Sequence, residues 1–243
     1  GGGLGIYLGI VNIDDAAIQS NTAAVNGGGI YMDSAALLAT EPNIHNNTAT
    51  GGNGGGIYAA NSPQVELDSA EVGYAGNGNR APAGDGGGVY LDNSTLSADS
   101  SLFRFNQAGV DGGAVAAVNG SVVTIFSSMT APSASQVGGP AARLPLSTPC
   151  DPAALAANVY CSTLHNNSAL DHGGALHFEG ESRGVIDHTA FLANSAATGS
   201  ALELYDSDVT LRHSRVSGNT ATGINNSTVH VYNVGGVAPT STF

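Results

Sequence analysis

Apolar residues in this chain come singly or in short groups, alternating with polar neighbours as in Thr210-Leu211-Arg212, and Gly or Asn breaks every stretch that a helix would need. Such alternation predicts short strands with one buried face and leaves no room for helical repeats. The pattern also recurs. An Asn-x-Ala step is found at Asn21, Asn47, Asn79, Asn106, Asn167, Asn194 and Asn219, with an apolar residue three positions ahead of the Asn in every copy except Asn79. A Gly-rich step and an apolar residue follow, at Gly27 to Ile30, Gly54 to Ile57, Gly86 to Val89, Gly112 to Val115, Gly173 to Leu176 and, degenerate, Gly199 to Leu202. Gly3-Leu4-Gly5-Ile6 reads as a frayed first copy.

The first glycines of successive steps are 27, 32, 26, 61 and 26 residues apart (54 − 27, 86 − 54, 112 − 86, 173 − 112, 199 − 173). Periods of this size mean a repeat architecture in which each unit buries its apolar face only against its neighbours. Each unit reads as three short strands with tight corners, one coil of a β-solenoid. In a stack of about seven to eight coils, equivalent residues lie about 4.8 Å apart, so the recurring Asn predicts an amide ladder and a structural role. Gly at the following step supplies positive φ or close backbone approach, and the Ala after each Asn fits a tight interior bend.

Phe103-Arg104-Phe105-Asn106, Phe191-Leu192-Ala193-Asn194, Gly112-Gly113-Ala114-Val115 and Gly173-Gly174-Ala175-Leu176 resemble the F-x-x-N and G-G-A-[ILV] motifs of polymorphic outer-membrane proteins and autotransporter adhesins. The resemblance spans roughly residues 3 to 232, apart from an insertion, and implies an all-β, right-handed parallel β-helix. It says little of activity, because the fold hosts adhesins and carbohydrate enzymes alike. Several coils depart from the motif with Gly-Gly-Gly-Ile-Tyr, and the chain carries no translocating barrel.

The 61-residue interval contains the insertion, 127–158, rich in Pro, Ala and Ser. Its Pro132, Pro140, Pro145, Pro149 and Pro152 bar a central strand, and a short helix over 151–157 is expected inside it. Removing about 33 residues restores a 28-residue coil (61 − 33). A single domain over 1–243, part of a longer or processed chain, is the expectation. Cys150 and Cys161 flank the end of the insertion, and a disulfide between them would indicate an oxidising extracellular or periplasmic setting. Six basic residues, all Arg, against 19 acidic ones give a net charge of −13. That balance disfavours nucleic acid and anionic membranes, and no apolar run is long enough to span a bilayer. No calcium nonapeptide, zinc, P-loop, dinucleotide or nucleophile-elbow motif occurs, so no metal or other cofactor is expected.

Aligning the coils turns the sequence into columns. The residue after the apolar member of each Gly step reads Tyr7, Tyr31, Tyr58, Tyr90, Ala116, His177, Glu203, an aromatic stripe suited to a sugar ring or a protein partner. A second column pair reads Asp14-Asp15, Thr40-Glu41, Asp99-Ser100, Tyr160-Cys161, Asp187-His188 and Arg212-His213. It places Asp187, His188, Arg212 and His213 together, the best candidates for general acid/base work if the chain is an enzyme. Lys is absent, which weighs against the lyase chemistry of other β-helices, and an acidic solenoid offers carboxylate pairs too freely for them to be diagnostic. The reading is a non-catalytic, extracellular or cell-surface module, adhesin-like or structural, whose partner is a host-cell or matrix glycan or protein. The alternatives are a polysaccharide lyase or glycosidase, and a fibre subunit stacking end to end on copies of itself.

Overall fold

A computed structural model describes residues 1–127, 161–224 and 227–232. Among these residues there is no helix, and every strand pairing is parallel. The chain winds as a β-solenoid of seven turns with three main faces. The first face stacks eight strands from Leu4–Tyr7 to Val229–Tyr232. The second stacks seven from Ile10–Asp14 to Asp208–Arg212, and the third seven from Ala17–Gln19 to Arg215–Ser217. The sequence predicts three strands per coil. The structure adds a fourth, two-residue strand at the Asn-x-Ala step, such as Thr22–Ala23 and Thr48–Ala49.

Alternation along each strand sends one set of side chains into the bore. Ile30, Met32, Ile57, Val89, Leu91, Val115, Leu176 and Phe178 line it from the first face, Leu37, Val65, Leu67, Leu96, Val123 and Ile125 from the second, and Ile44, Val72, Phe103, Leu164 and Phe191 from the third. Volumes compensate within a coil. Phe178 fills space beside Gly184, where any Cβ would meet its ring at 2.9 Å.

Three of the four corners turn on a left-handed, non-glycine residue, for example Asn93, Ser100 and Phe105 in successive corners. The residue after that turn points inward. At the third corner it is the recurring Asn, and Nδ2 of each donates to Oδ1 of the next at 2.9–3.0 Å from Asn21 through Asn219. At the first corner it is Ser62, Ser94, Ser121 and Ser182, where the hydroxyl oxygens of Ser94, Ser121 and Ser182 each accept the backbone N–H of the serine one coil earlier. A shorter serine series, Ser101 and Ser162, does the same at the second corner. The fourth corner needs glycine twice. Gly54 has φ of +69°, and a Cβ on Gly55 would lie 2.4 Å from the Gly87 carbonyl of the next coil.

The second-face strand Val122–Phe126 pairs directly with Arg183–Asp187, and the third-face strand Leu102–Arg104 with Ser162–His165. The stack is therefore continuous from Ser127 on the second corner to Ser162 on the third face. The insertion beyond Ser127, the expected helix over 151–157 and Cys150 lie outside the described residues. So does Tyr160, and the register corrects its place in the second column pair: Asp99 is opposite Phe126. The reason is that the excursion begins after that column position, not before it. Among the described residues no helix is long and apolar enough to cross a membrane.

Candidate functional site

The aromatic column lies on the outer side of the first face. Tyr31, Tyr58 and Tyr90 are in register, with rings stacked at 5.2 and 5.3 Å and 8° between planes. Tyr7 is not the register partner. Gly5 stands opposite Tyr31 and Tyr7 opposite Asp33, because Leu4 rather than Ile6 is the apolar member that pairs with Ile30. The Tyr7 ring still leans over Tyr31 at 5.5 Å and 39°, and it is 64% exposed. Exposure falls along the column until Tyr90 is buried. Burial raises the Tyr31 and Tyr58 phenols, aided by Asp33 and Asp92, so both remain protonated donors at neutral pH. Tyr7 and Tyr31, with Thr22 to Asn26, line an open cavity of 450 Å³.

Beyond Tyr90 the same column continues as Ala116, His177, Glu203 and His230. Here it meets a line of polar residues that the sequence reading did not single out, those immediately before each Gly step. Asn26, Asn53, Asp85 and Asp111 each accept, on Oδ1, the backbone N–H of the next member, ending at His172. The signal was present in the run Asn, Asn, Asp, Asp, His ahead of the glycines. His177 is buried between Asp111 Oδ2 at 3.9 Å and Glu179 Oε2 at 3.7 Å, ion-pair rather than hydrogen-bond separations. Burial alone would lower its pKa, but Glu179, Asp111 and Glu203 outweigh it and hold the imidazole above its ordinary value. The same contact with His177 depresses Glu179. Glu203 Oε1 lies 2.6 Å from His230 Nδ1.

The second cluster sits at the corner between the second and third faces. Register sets Asp187 beside Arg212, and the following residues, His188 and His213, each take the left-handed corner with φ of 46° and 45°. That turn swings both imidazoles back over the preceding carboxylate. Asp187 Oδ1 lies 2.9 Å from Nδ1 of His188 and 2.9 Å from Nδ1 of His213, while Arg212 Nη2 is 3.5 Å from Oδ2. The two rings stack at 4.8 Å. His188 is buried and His213 half-exposed. Cys161 precedes Ser162, the partner of Thr189, and so occupies the corner position equivalent to His188 one coil earlier.

Chemically, the corner offers two imidazoles oriented by one carboxylate. No serine nucleophile accompanies them among the described residues: Ser127 Oγ and Ser214 Oγ donate to the backbone carbonyls of His188 and Arg212. The neighbours of Asp187 along its column are Ile-flanked Phe126 and Arg212, so no second carboxylate is paired with it there. Compared with protein-family models, curated proteins and solved structures, the chain gives no match.

Proposed function

We propose that this chain is a non-catalytic, adhesin-like module of a secreted or cell-surface protein, a rod that engages a glycan or protein through its Tyr-bearing face. The observation that carries this reading is the outward aromatic column itself, Tyr31, Tyr58 and Tyr90 in register on one face with the Tyr7 ring leaning over Tyr31. Tyr31 and Tyr58 stack face to face, which stiffens the column, and the phenols give the outer side of this face a large apolar area with polar tips suited to a sugar ring or an apolar side chain. The motif resemblance to autotransporter passengers supports the same class, and the acidic, Lys-free surface suits a neutral or basic partner. A Cys150–Cys161 bridge, if formed, would fit an oxidising exterior.

Enzyme chemistry is supported less well. Glycosidic cleavage uses two carboxylates about 5 to 9.5 Å apart across a groove, and the Asp187 corner supplies one carboxylate bonded to imidazoles. The test is binding to arrays of immobilised glycans and matrix proteins by the wild-type chain and by Tyr7→Ala and Tyr31→Ala. Loss of about 1.4 kcal/mol or more, tenfold in affinity, in either variant is expected. Undiminished binding by both variants, or no binding by the wild type to any surface, would overturn the proposal.

A further inference from the structure

The corner that gathers Asp187, His188 and His213 has the make-up of a cation site. Their ligand atoms all lie within 4.8 Å of one another, and the two Nδ1 atoms converge on one carboxylate oxygen at 2.9 Å each. We propose that these three side chains bind a divalent metal of the zinc class, with the fourth coordination position open to solvent.

Three features argue for it. First, the donor set is two imidazole nitrogens and one carboxylate oxygen, which suits zinc and its neighbours and not the hard, all-oxygen cations. Second, the spacing is close to what coordination needs. Bonds of about 2.0 to 2.2 Å at tetrahedral angles put ligand atoms roughly 3.3 Å apart, so small side-chain rotations widen the two 2.9 Å separations enough to admit the ion. Third, the backbone fixes the arrangement. His188 and His213 occupy equivalent corners of adjacent coils in the left-handed region, with rings stacked at 4.8 Å, so both Nδ1 atoms face the same side before any metal arrives. Arg212 holds the other carboxylate oxygen at 3.5 Å and orients Asp187 from outside the ligand set, as partners of metal-binding carboxylates do. The corners earlier in the stack, Asp15, Glu41, Ser69 and Ser100, carry no imidazole, so the site belongs to this one place in the repeat. His213 is half-exposed, which leaves an entry path.

This site is independent of the Tyr face and stands or falls separately from the binding function. The experiment is a zinc titration by calorimetry of the full chain, first stripped with chelator, alongside His213→Ala, Asp187→Asn and the control His230→Ala, whose side chain contacts Glu203 on another face. One equivalent of zinc per wild-type chain is expected. Affinity should fall at least about tenfold in His213→Ala and Asp187→Asn and stay unchanged in His230→Ala. Cobalt in place of zinc should give visible absorption bands in the wild type that His213→Ala lacks. Because His213 is half-exposed, that variant is expected to fold, and its circular dichroism and unfolding midpoint check this. Should Asp187→Asn fail to fold, His213→Ala decides alone. Equal zinc affinity in wild type and His213→Ala, or no zinc binding by the wild type, would mean a hydrogen-bonded cluster only and would overturn the assignment.

Discussion

Asn106 shows what a single residue does in this stack. Its Oδ1 accepts both the backbone N–H and Nδ2 of Asn79, and its own Nδ2 donates to Val72 O and Asn167 Oδ1. Asn106→Ala therefore strands several buried polar groups at once and should destabilise by roughly 2 to 4 kcal/mol, at 1 to 3 kcal/mol for each unsatisfied group. Denaturant unfolding measures this, and a loss below about 1 kcal/mol would contradict the ladder's role. Asp85 gives the opposite case. Burial raises its pKa, yet Asn26 and Asn53 perform the same backbone contact without a charge. A carboxyl held above its unfolded value of 3.8 weakens the fold as pH rises from there through the folded value. Asp85→Asn should remove that slope and raise the melting temperature at neutral pH. A lower melting temperature would count against it. For His177 the slope has the same sign and a different origin, attraction by neighbouring carboxylates instead of burial. Its raised pKa gives stability that is complete below the unfolded value of 6.5 and fades as pH rises through the folded value. Melting scans above pH 6.5 should show the wild type losing stability relative to His177→Gln, and parallel curves would refute the assignment.

At the scale of elements, the coil tolerates long excursions because its corners are closed by local bonds. The Ser162 backbone N–H donates to Ser127 Oγ, and Ser162 Oγ donates to Phe126 O. Replacing 128–160 with two glycines, together with Cys161→Ser, should leave a cooperative unfolding transition, whereas loss of cooperativity would show that the excursion is needed for the stack. The period, the parallel stacking and the face that each alternating strand buries are legible in the sequence, since Gly and Asn steps recur and Leu, Ile and Val alternate. The serine columns are not. Ser62, Ser94, Ser121 and Ser182 are lost among many Ser, Thr and Asn, and only the left-handed turn before them explains why they face inward. The same turn decides the candidate corner: a one-coil offset puts Asp187 next to Arg212, but the meeting of two imidazoles on one oxygen depends on φ at His188 and His213. Tyr7 was misplaced because Leu4-Gly5-Ile6-Tyr7 offers two apolar residues, and only pairing with Ile30 selects Leu4.

The described residues form a rod of seven turns, about 34 Å long at about 4.8 Å per turn, in a chain with a net charge of −13 and a sequence pI of 4.5. Solubility should reach its minimum near that pI, where the repulsion that keeps strand-rich rods apart vanishes. On this rod the interior is given to ladders and apolar packing, and the outward columns carry what chemistry there is. In the function proposed above, the Tyr face holds a partner without transforming it. The decisive measurement incubates the chain with whichever polysaccharide the array identifies and follows polymer length over time by size-exclusion chromatography with light scattering. A stable complex and unchanged polymer length are expected. Progressive shortening that Asp187→Asn or His213→Ala abolishes would contradict it and make the corner a catalytic centre.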